Sequence, residues 1–342
     1  MKVSFLSLIA LTTCCSFASF AMAQESKILR IGIIGCDTSH VPAFAKLIND
    51  PKAEGDLAKM EVVAAFPGGS SDIPSSRDRV EGFVKQLREM NVEICDSISD
   101  LVKKVDAVLL ESVDGRPHLE QALPVLQAKL PLFIDKPLAG SLEDCLAIQM
   151  AAQSNQARWF SSSSLRYSAS VQAQRNHEQW PKNVIGAISW GPCPIEKTHP
   201  DLFWYGIHGV ETLFTAMGQG CVSVTRTNQE GADVVTGIWK DGRIGTFRGI
   251  RDGKQDYGLV VIGKTSVDVG GKYDGYKPLV DQIAKFFLGG PVPIPEEETI
   301  EIFAFMEAAQ LSKEQGGVPV KLDDVLKTAR EKAAKRLKTL QK

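Results

Sequence analysis

Apolar residues fall in short unbroken runs through the first half of the chain, and each run gives way to a helical spacing. Ile28 to Ile34 is interrupted only by Arg30 and Gly32. After it, Val41, Phe44, Ala45 and Ile48 recur at the i, i+3, i+4, i+7 spacing of one buried helix face. Glu61 to Phe66, Val92 to Cys95, Asp106 to Leu110 and Leu132 to Ile134 repeat the strand signal. Leu119, Ala122, Leu123 and Leu126 mark a helix between the last two, with Pro124 expected to kink it. Fully apolar strands alternating with helices are the mark of right-handed βαβ units, so this half predicts a Rossmann-like, doubly wound parallel sheet.

After a helix over Leu142 to Ala152 the pattern changes. Ser161 to Arg166 reads as a polar strand or turn, followed by strands at Gly186 to Gly191, Val222 to Thr227, Val234 to Trp239, Ile244 to Ile250 and Tyr257 to Ile262. Lys240-Asp241-Gly242-Arg243 is a hairpin turn between two of them, which predicts an α/β domain with an open, mainly antiparallel sheet. One continuous helix is expected from Asp201 to Glu211 and onward, burying Ile207, Val210, Phe214 and Met217. His208 lies off that stripe between Gly206 and Gly209, whose cost to a helix suggests that a ligand approaches there. The tail, Val325 to Lys342, predicts a basic helix with a solvated lysine face.

The first residues change the domain count. Lys2, the apolar stretch Phe5 to Leu11 and the small-x-small Ala21-Met22-Ala23 form the pattern of a Sec-type signal peptide. The expected organisation is therefore a signal at 1–23, a nucleotide-binding domain at 24–138 and a substrate or oligomerisation domain at 139–342, with a periplasmic or extracellular location. No integral membrane span is expected, because the apolar stretch is short and interrupted. With 342 residues, 23% charged positions and a net charge of −2, nothing calls for a nucleic-acid partner. Cys36, Cys95, Cys145, Cys193 and Cys221 follow neither a disulfide framework nor a metal spacing, so no metal site is expected.

Candidate chemistry sits at the strand ends. Ligands of open parallel sheets bind beyond the carboxyl ends of the strands. There the first strand runs into Gly35-Cys36-Asp37-Thr38-Ser39-His40, a turn entering a helix and a seat for a pyrophosphate. Only Gly35 keeps the G-x-G-x-x-G register, because Asp37 and His40 occupy the second and third glycine places. A carboxylate at position 37 is expected to obstruct and repel phosphate. The Leu132 to Ile134 strand ends in Asp135-Lys136-Pro137, where Pro137 keeps Lys136 extended and an ammonium can bind substrate oxygen or move a proton. His208 from the second half complements it as base or orienting group.

These segments resemble the glucose–fructose oxidoreductase / inositol 2-dehydrogenase / MocA (Gfo/Idh/MocA) family of NAD(P)-dependent oxidoreductases. The resemblance spans most of the chain after residue 23. It rests on Asp106-Ala107-Val108 through Pro117 and His118, on Asp135-Lys136-Pro137, on Arg166 and on His208. Ala308 to Ser312 before Gly316-Gly317-Val318-Pro319-Val320 also carries it. It implies hydride transfer at a carbohydrate or cyclitol hydroxyl, with NAD or NADP held tightly between turnovers. Lys136 and His208 would be catalytic; Gly35, Asp37, Thr38, Ser39, His40, Ser112, His118, Asp135 and Lys136 would surround the cofactor. Arg166, Asp201, Trp204, Tyr205 and His208 would surround the substrate. Trp204 stands where the family has an acid, with Asp201 one turn earlier as its substitute. Two alternatives stay open: a non-redox carbohydrate-binding relative, and a lyase working by transient oxidation. The open sheet suggests a homo-oligomer.

Overall fold

The computed structural model describes residues 27–340, so the expected signal peptide lies outside the described residues. The first layer runs β1 (Leu29–Ile34), α1 (His40–Ile48), β2 (Met60–Phe66), α2 (Pro74–Arg77), α3 (Val80–Glu89), β3 (Glu93–Ile94), α4 (Ile98–Leu101), β4 (Ala107–Leu110), α5 (His118–Gln127), β5 (Leu132–Asp135), α6 (Leu142–Asn155) and β6 (Trp159–Ser162). Its six strands are all parallel in the order β3-β2-β1-β4-β5-β6. The doubly wound expectation describes it, and the boundary at 138 does not, because β6 pairs with β5 and extends the sheet to Ser162. The stretch read as a polar strand or turn from Ser161 divides into the end of β6 and a single 3-10 turn, Ser164–Tyr167.

The second layer comprises α7 (Ala169–Arg175), β7 (Val184–Pro192), α8 (Asp201–Trp204), α9 (Ile207–Met217), β8 (Cys221–Gln229), β9 (Ala232–Trp239), β10 (Ile244–Ile250), β11 (Gly258–Gly263), β12 (Val267–Gly270), α10 (Lys277–Phe287), α11 (Glu296–Glu314), β13 (Val320–Lys321) and α12 (Leu322–Leu340). The seven-stranded order is β12-β11-β7-β10-β9-β8-β13, antiparallel throughout except where β10 runs parallel to β7. β12 and β13 are too short and too polar for periodicity to mark them.

The two halves interlock. α10 packs on α1, placing Leu279, Val280, Ile283 and Phe286 in one core with Phe44, Phe133 and Phe160 on one face of the parallel sheet. α12 packs on α6 at the opposite face. α9 and α11 cover one face of the second sheet, while Ile185, Ile188, Ile238, Ile244 and Val269 leave its aliphatic residues exposed.

The helix expected from Asp201 onward breaks at Tyr205, whose φ of −136° separates α8 from α9. Asp201 therefore does not stand two turns before His208 on a common helix. The neighbouring glycines also have a different cause from the one expected. A Cβ on Gly209 would strike the Phe247 ring, and one on Gly206 would crowd the Leu202 carbonyl and the Cys193 sulfur. They let α9 lie close on the sheet and leave His208 as one of eleven buried residues of a helix covered on all sides.

Candidate active site

The carboxyl ends of β1, β4 and β5 converge on one crevice. Gly35 leaves β1 at φ +86°, packed so tightly on Ser112 that any Cβ would collide with it. The turn then delivers the amino terminus of α1. The backbone N–H groups of Asp37, Thr38 and Ser39 enter no hydrogen bond among the described residues. Such an end carries partial positive charge and suits a phosphate.

A cavity of about 280 Å³ starts at Thr38, Ser39 and His40 and continues past Arg79 to Lys136, Trp204, Tyr205 and His208. A second, of about 160 Å³, shares His40, Tyr205, His208 and Tyr276 with it and adds Tyr257 and Tyr273. Lys136, on the extended exit from β5, is buried with its ammonium 5.8 Å from the centre of the Tyr205 ring.

Strand register explains how His208 reaches this lysine. β6 lies beside β5 with Ser162 opposite Asp135. Glu211, one turn beyond His208, accepts hydrogen bonds from Ser162 Oγ (2.7 Å) and Ser163 N (2.7 Å), clamping α9 to the end of β6. Ser163 Oγ then lies 2.6 Å from His208 Nδ1. Burial, with the charges of Lys136 and His40 nearby, pushes His208 well below its ordinary value, so the ring is neutral at pH 7 and able to accept a proton. Burial pushes the hydroxyls of Tyr257 and Tyr273 up, and they remain protonated hydrogen-bonding groups.

Of the expected cofactor residues, Thr38, Ser39, His40 and Lys136 line the cleft. Asp37 does not face it. Its carboxylate is fully buried, accepting from Ser76 Oγ (2.6 Å) and Val113 N (2.9 Å), so its side chain does not stand in the way of a phosphate at the helix end. Ser112 lies beneath Gly35 and bonds Gln121. His118 is fully buried between the β4 and β5 exit loops, with Nε2 2.8 Å from the Ser112 carbonyl and Nδ1 3.1 Å from that of Leu138. Asp135 sits below the cleft with His40, 2.7 Å from its Nδ1.

Of the expected substrate residues, Trp204, Tyr205 and His208 line the cleft, and two others are engaged elsewhere. Arg166 is buried in ion pairs with Glu211 (2.6 Å) and Glu298 (2.8 Å). Asp201 pairs with Arg226 (2.6 Å) and Lys313 (2.6 Å). Neither residue lines the cleft; ion pairs balance both charges, and Arg166 Nη2 has no hydrogen-bond partner among the described residues.

Sequence reasoning missed Ser163, Glu111, Tyr257, Tyr273 and Tyr276. Nothing in the spacing of the chain's five tyrosines marks the four that meet in the smaller cavity.

The residues present fit the nicotinamide end of a dinucleotide, with a glycine cradle, unbonded helix N–H groups and a cleft leading to Lys136. Residues 68–79 are tied to the turns that follow β1 and β4. Ser76 bonds Asp37, Ser70 bonds Asp114 (2.5 Å), and Asp72 pairs with Arg116 (2.8 Å).

Residues 29–163 match the GFO_IDH_MocA model, an oxidoreductase family with an NAD-binding Rossmann fold. Among curated proteins none matches the chain by sequence. Solved structures share the whole architecture at low identity. A probable dehydrogenase from Thermotoga maritima aligns with TM-score 0.68 and 18% identity, over 87% of this chain and 100% of that one. The scyllo-inositol dehydrogenase of Lactobacillus casei, solved with NAD(H) and scyllo-inositol, gives 0.69 and 14%, over 87% and 100%. The myo-inositol 2-dehydrogenase of Lactobacillus plantarum gives 0.68 and 17%, over 86% and 99%.

Proposed function

We infer that the chain is a member of the Gfo/Idh/MocA family and works as an NAD(P)-dependent oxidoreductase on a carbohydrate or cyclitol hydroxyl. The observation that carries this reading is the meeting of Lys136 and His208, from two different domains, in one cleft that begins at the amino terminus of α1. A bound nicotinamide supplies the hydride acceptor or donor. Everything else belongs to the protein. The helix end and Arg79 hold phosphate. Lys136 donates to the reacting oxygen and stabilises the charge that develops there. His208, neutral and oriented through Ser163, takes the hydroxyl proton in the oxidising direction and returns it in the reducing one. Tyr205, Tyr257, Tyr273 and Tyr276 offer ring faces and hydroxyls to a polyol and keep the site short of water.

Lys136→Met tests this reading. Rates with NAD or NADP across a panel of inositols and sugars should fall by ~10²–10⁴-fold while the thermal midpoint stays near wild type. An active Met variant removes Lys136 from the mechanism.

Two wider assignments belong to the same proposal. The aliphatic face formed by Ile185, Ile188, Ile238, Ile244 and Val269 supports self-association through the open sheet, and the native mass reads the number of chains. The leader pattern supports export. Amino-terminal sequencing of protein from an envelope fraction should begin at Gln24, and an intact Met1 there would refute cleavage. Among the described residues no helix is long and apolar enough to cross a membrane.

A further inference from the structure

Directly beneath the cleft, three side chains converge from separate elements. They are His40 at the start of α1, Glu111 just beyond β4 and Asp135 at the end of β5. Their relative exposures are 7%, 0% and 1%. One ligand atom from each lies within 4.8 Å of the other two, with His40 Nδ1 2.7 Å from Asp135 and 4.0 Å from Glu111.

Proximity is matched by a lack of partners. His40 Nδ1, both Glu111 oxygens and both Asp135 oxygens have no aligned hydrogen bond among the described residues. The three groups crowd together, and the 2.7 Å contact between His40 and Asp135 lacks hydrogen-bond alignment. Two carboxylates set side by side in the interior are expensive, because an uncompensated buried charge costs several kcal/mol and only one of them has His40 at close range. Lys136, the residue after Asp135, offsets part of that charge but forms no ion pair with either carboxylate among the described residues.

We propose that His40, Glu111 and Asp135 form a binding site for one divalent first-row transition-metal ion at the floor of the cleft. One imidazole and two carboxylates are a donor set for Zn²⁺ or Mn²⁺. Bonds of about 2.0–2.2 Å place neighbouring ligand atoms roughly 3–4 Å apart, the spacing that the three groups approach. The ion neutralises both carboxylates and gives every orphaned atom a bond. Three protein ligands leave at least one position for water or a ligand oxygen. His40 is the ligand that also lines both cavities, so the ion communicates with the substrate side of the cleft. Spacing rules miss the site because its ligands come from three separate crossovers.

The test is metal uptake by the full protein, stripped with a chelator and kept free of dinucleotide, so the result does not depend on the redox reading. Equilibrium dialysis against Zn²⁺ or Mn²⁺ with elemental analysis should give one ion per chain and a raised thermal midpoint. Glu111→Gln and Asp135→Asn should each weaken uptake at least ~10-fold, whereas Asp241→Asn, at an exposed turn, should not. Co²⁺ in the wild-type protein should give the visible bands of a mixed nitrogen–oxygen site, a readout that survives if a variant fails to fold. Folded wild-type protein that takes up no ion, or uptake unchanged in folded Glu111→Gln, overturns the proposal and leaves a protonated Glu111 in its place.

Discussion

His208 shows how an environment rewrites a residue. Read as an ordinary imidazole, it predicts a rate limb at about pH 6–7. Burial, with Lys136 and His40 adding to it, depresses its proton affinity, so the limb of kcat/KM should lie below that range. The sign for stability follows. The unfolded chain binds a proton at about pH 6.5 and the native ring does not, so stability is fully present above that pH and declines as pH falls. Burial of His118 acts in the same direction. The melting temperature of wild type should therefore fall more steeply below pH 6.5 than that of His208→Gln. Parallel curves would show that His208 titrates normally.

Arg166 teaches the converse. The sequence places an arginine after a strand, where it resembles a substrate ligand; the structure spends its guanidinium on Glu211 and Glu298. Removing one partner of such a pair strands charge in the interior, so Arg166→Met should cost about 3–5 kcal/mol in denaturant unfolding. Full stability with a raised KM would restore the substrate role. Side-chain commitments of this kind are invisible to a sequence reading because Glu298 comes from α11, far along the chain.

Among the elements, those with strong periodicity were legible and those that depend on tertiary packing were not. β1, β2, β4 and β5 follow from apolar runs, because strands largely buried on both faces leave little polar alternation to confuse. The break between α8 and α9 was missed because Leu202, Phe203, Ile207 and Val210 keep a helical spacing across it. The strap of residues 68–79 was also missed, since a Pro-Gly-Gly-Ser-Ser sequence reads as solvated loop. Its ties to Asp37, Asp114 and Arg116 hold it against the turns after β1 and β4, beside the amino terminus of α1. Ser76→Ala combined with Asp72→Asn should loosen it and tighten NAD(P) binding several-fold in calorimetry, at a cost of about 1.5–3 kcal/mol for the lost Ser76–Asp37 bond. Weaker binding in that variant would mean that the strap holds the nucleotide.

At the scale of the whole molecule, sequence places the cleft between the halves but not the way they are locked together. α10 and α12, from the carboxyl-terminal half, cover opposite faces of the amino-terminal sheet, so neither half has a complete core by itself. That arrangement fixes the end of β6 against α9 and hence Lys136 against His208. Lys136, His208 and Tyr205 were legible because each stands beside a proline or a glycine that the local sequence displays, and Trp204 through the family resemblance. The tyrosine cavity and the His40–Glu111–Asp135 cluster were not, because only the closed fold assembles them.

The central claim is that this cleft receives a nicotinamide dinucleotide. Native mass spectrometry of gently purified protein, alone and after incubation with NAD or NADP, tests it most directly and also counts the chains in the assembly. One dinucleotide mass per chain is the predicted result. Folded protein whose mass stays unchanged at saturating NAD and NADP would contradict it.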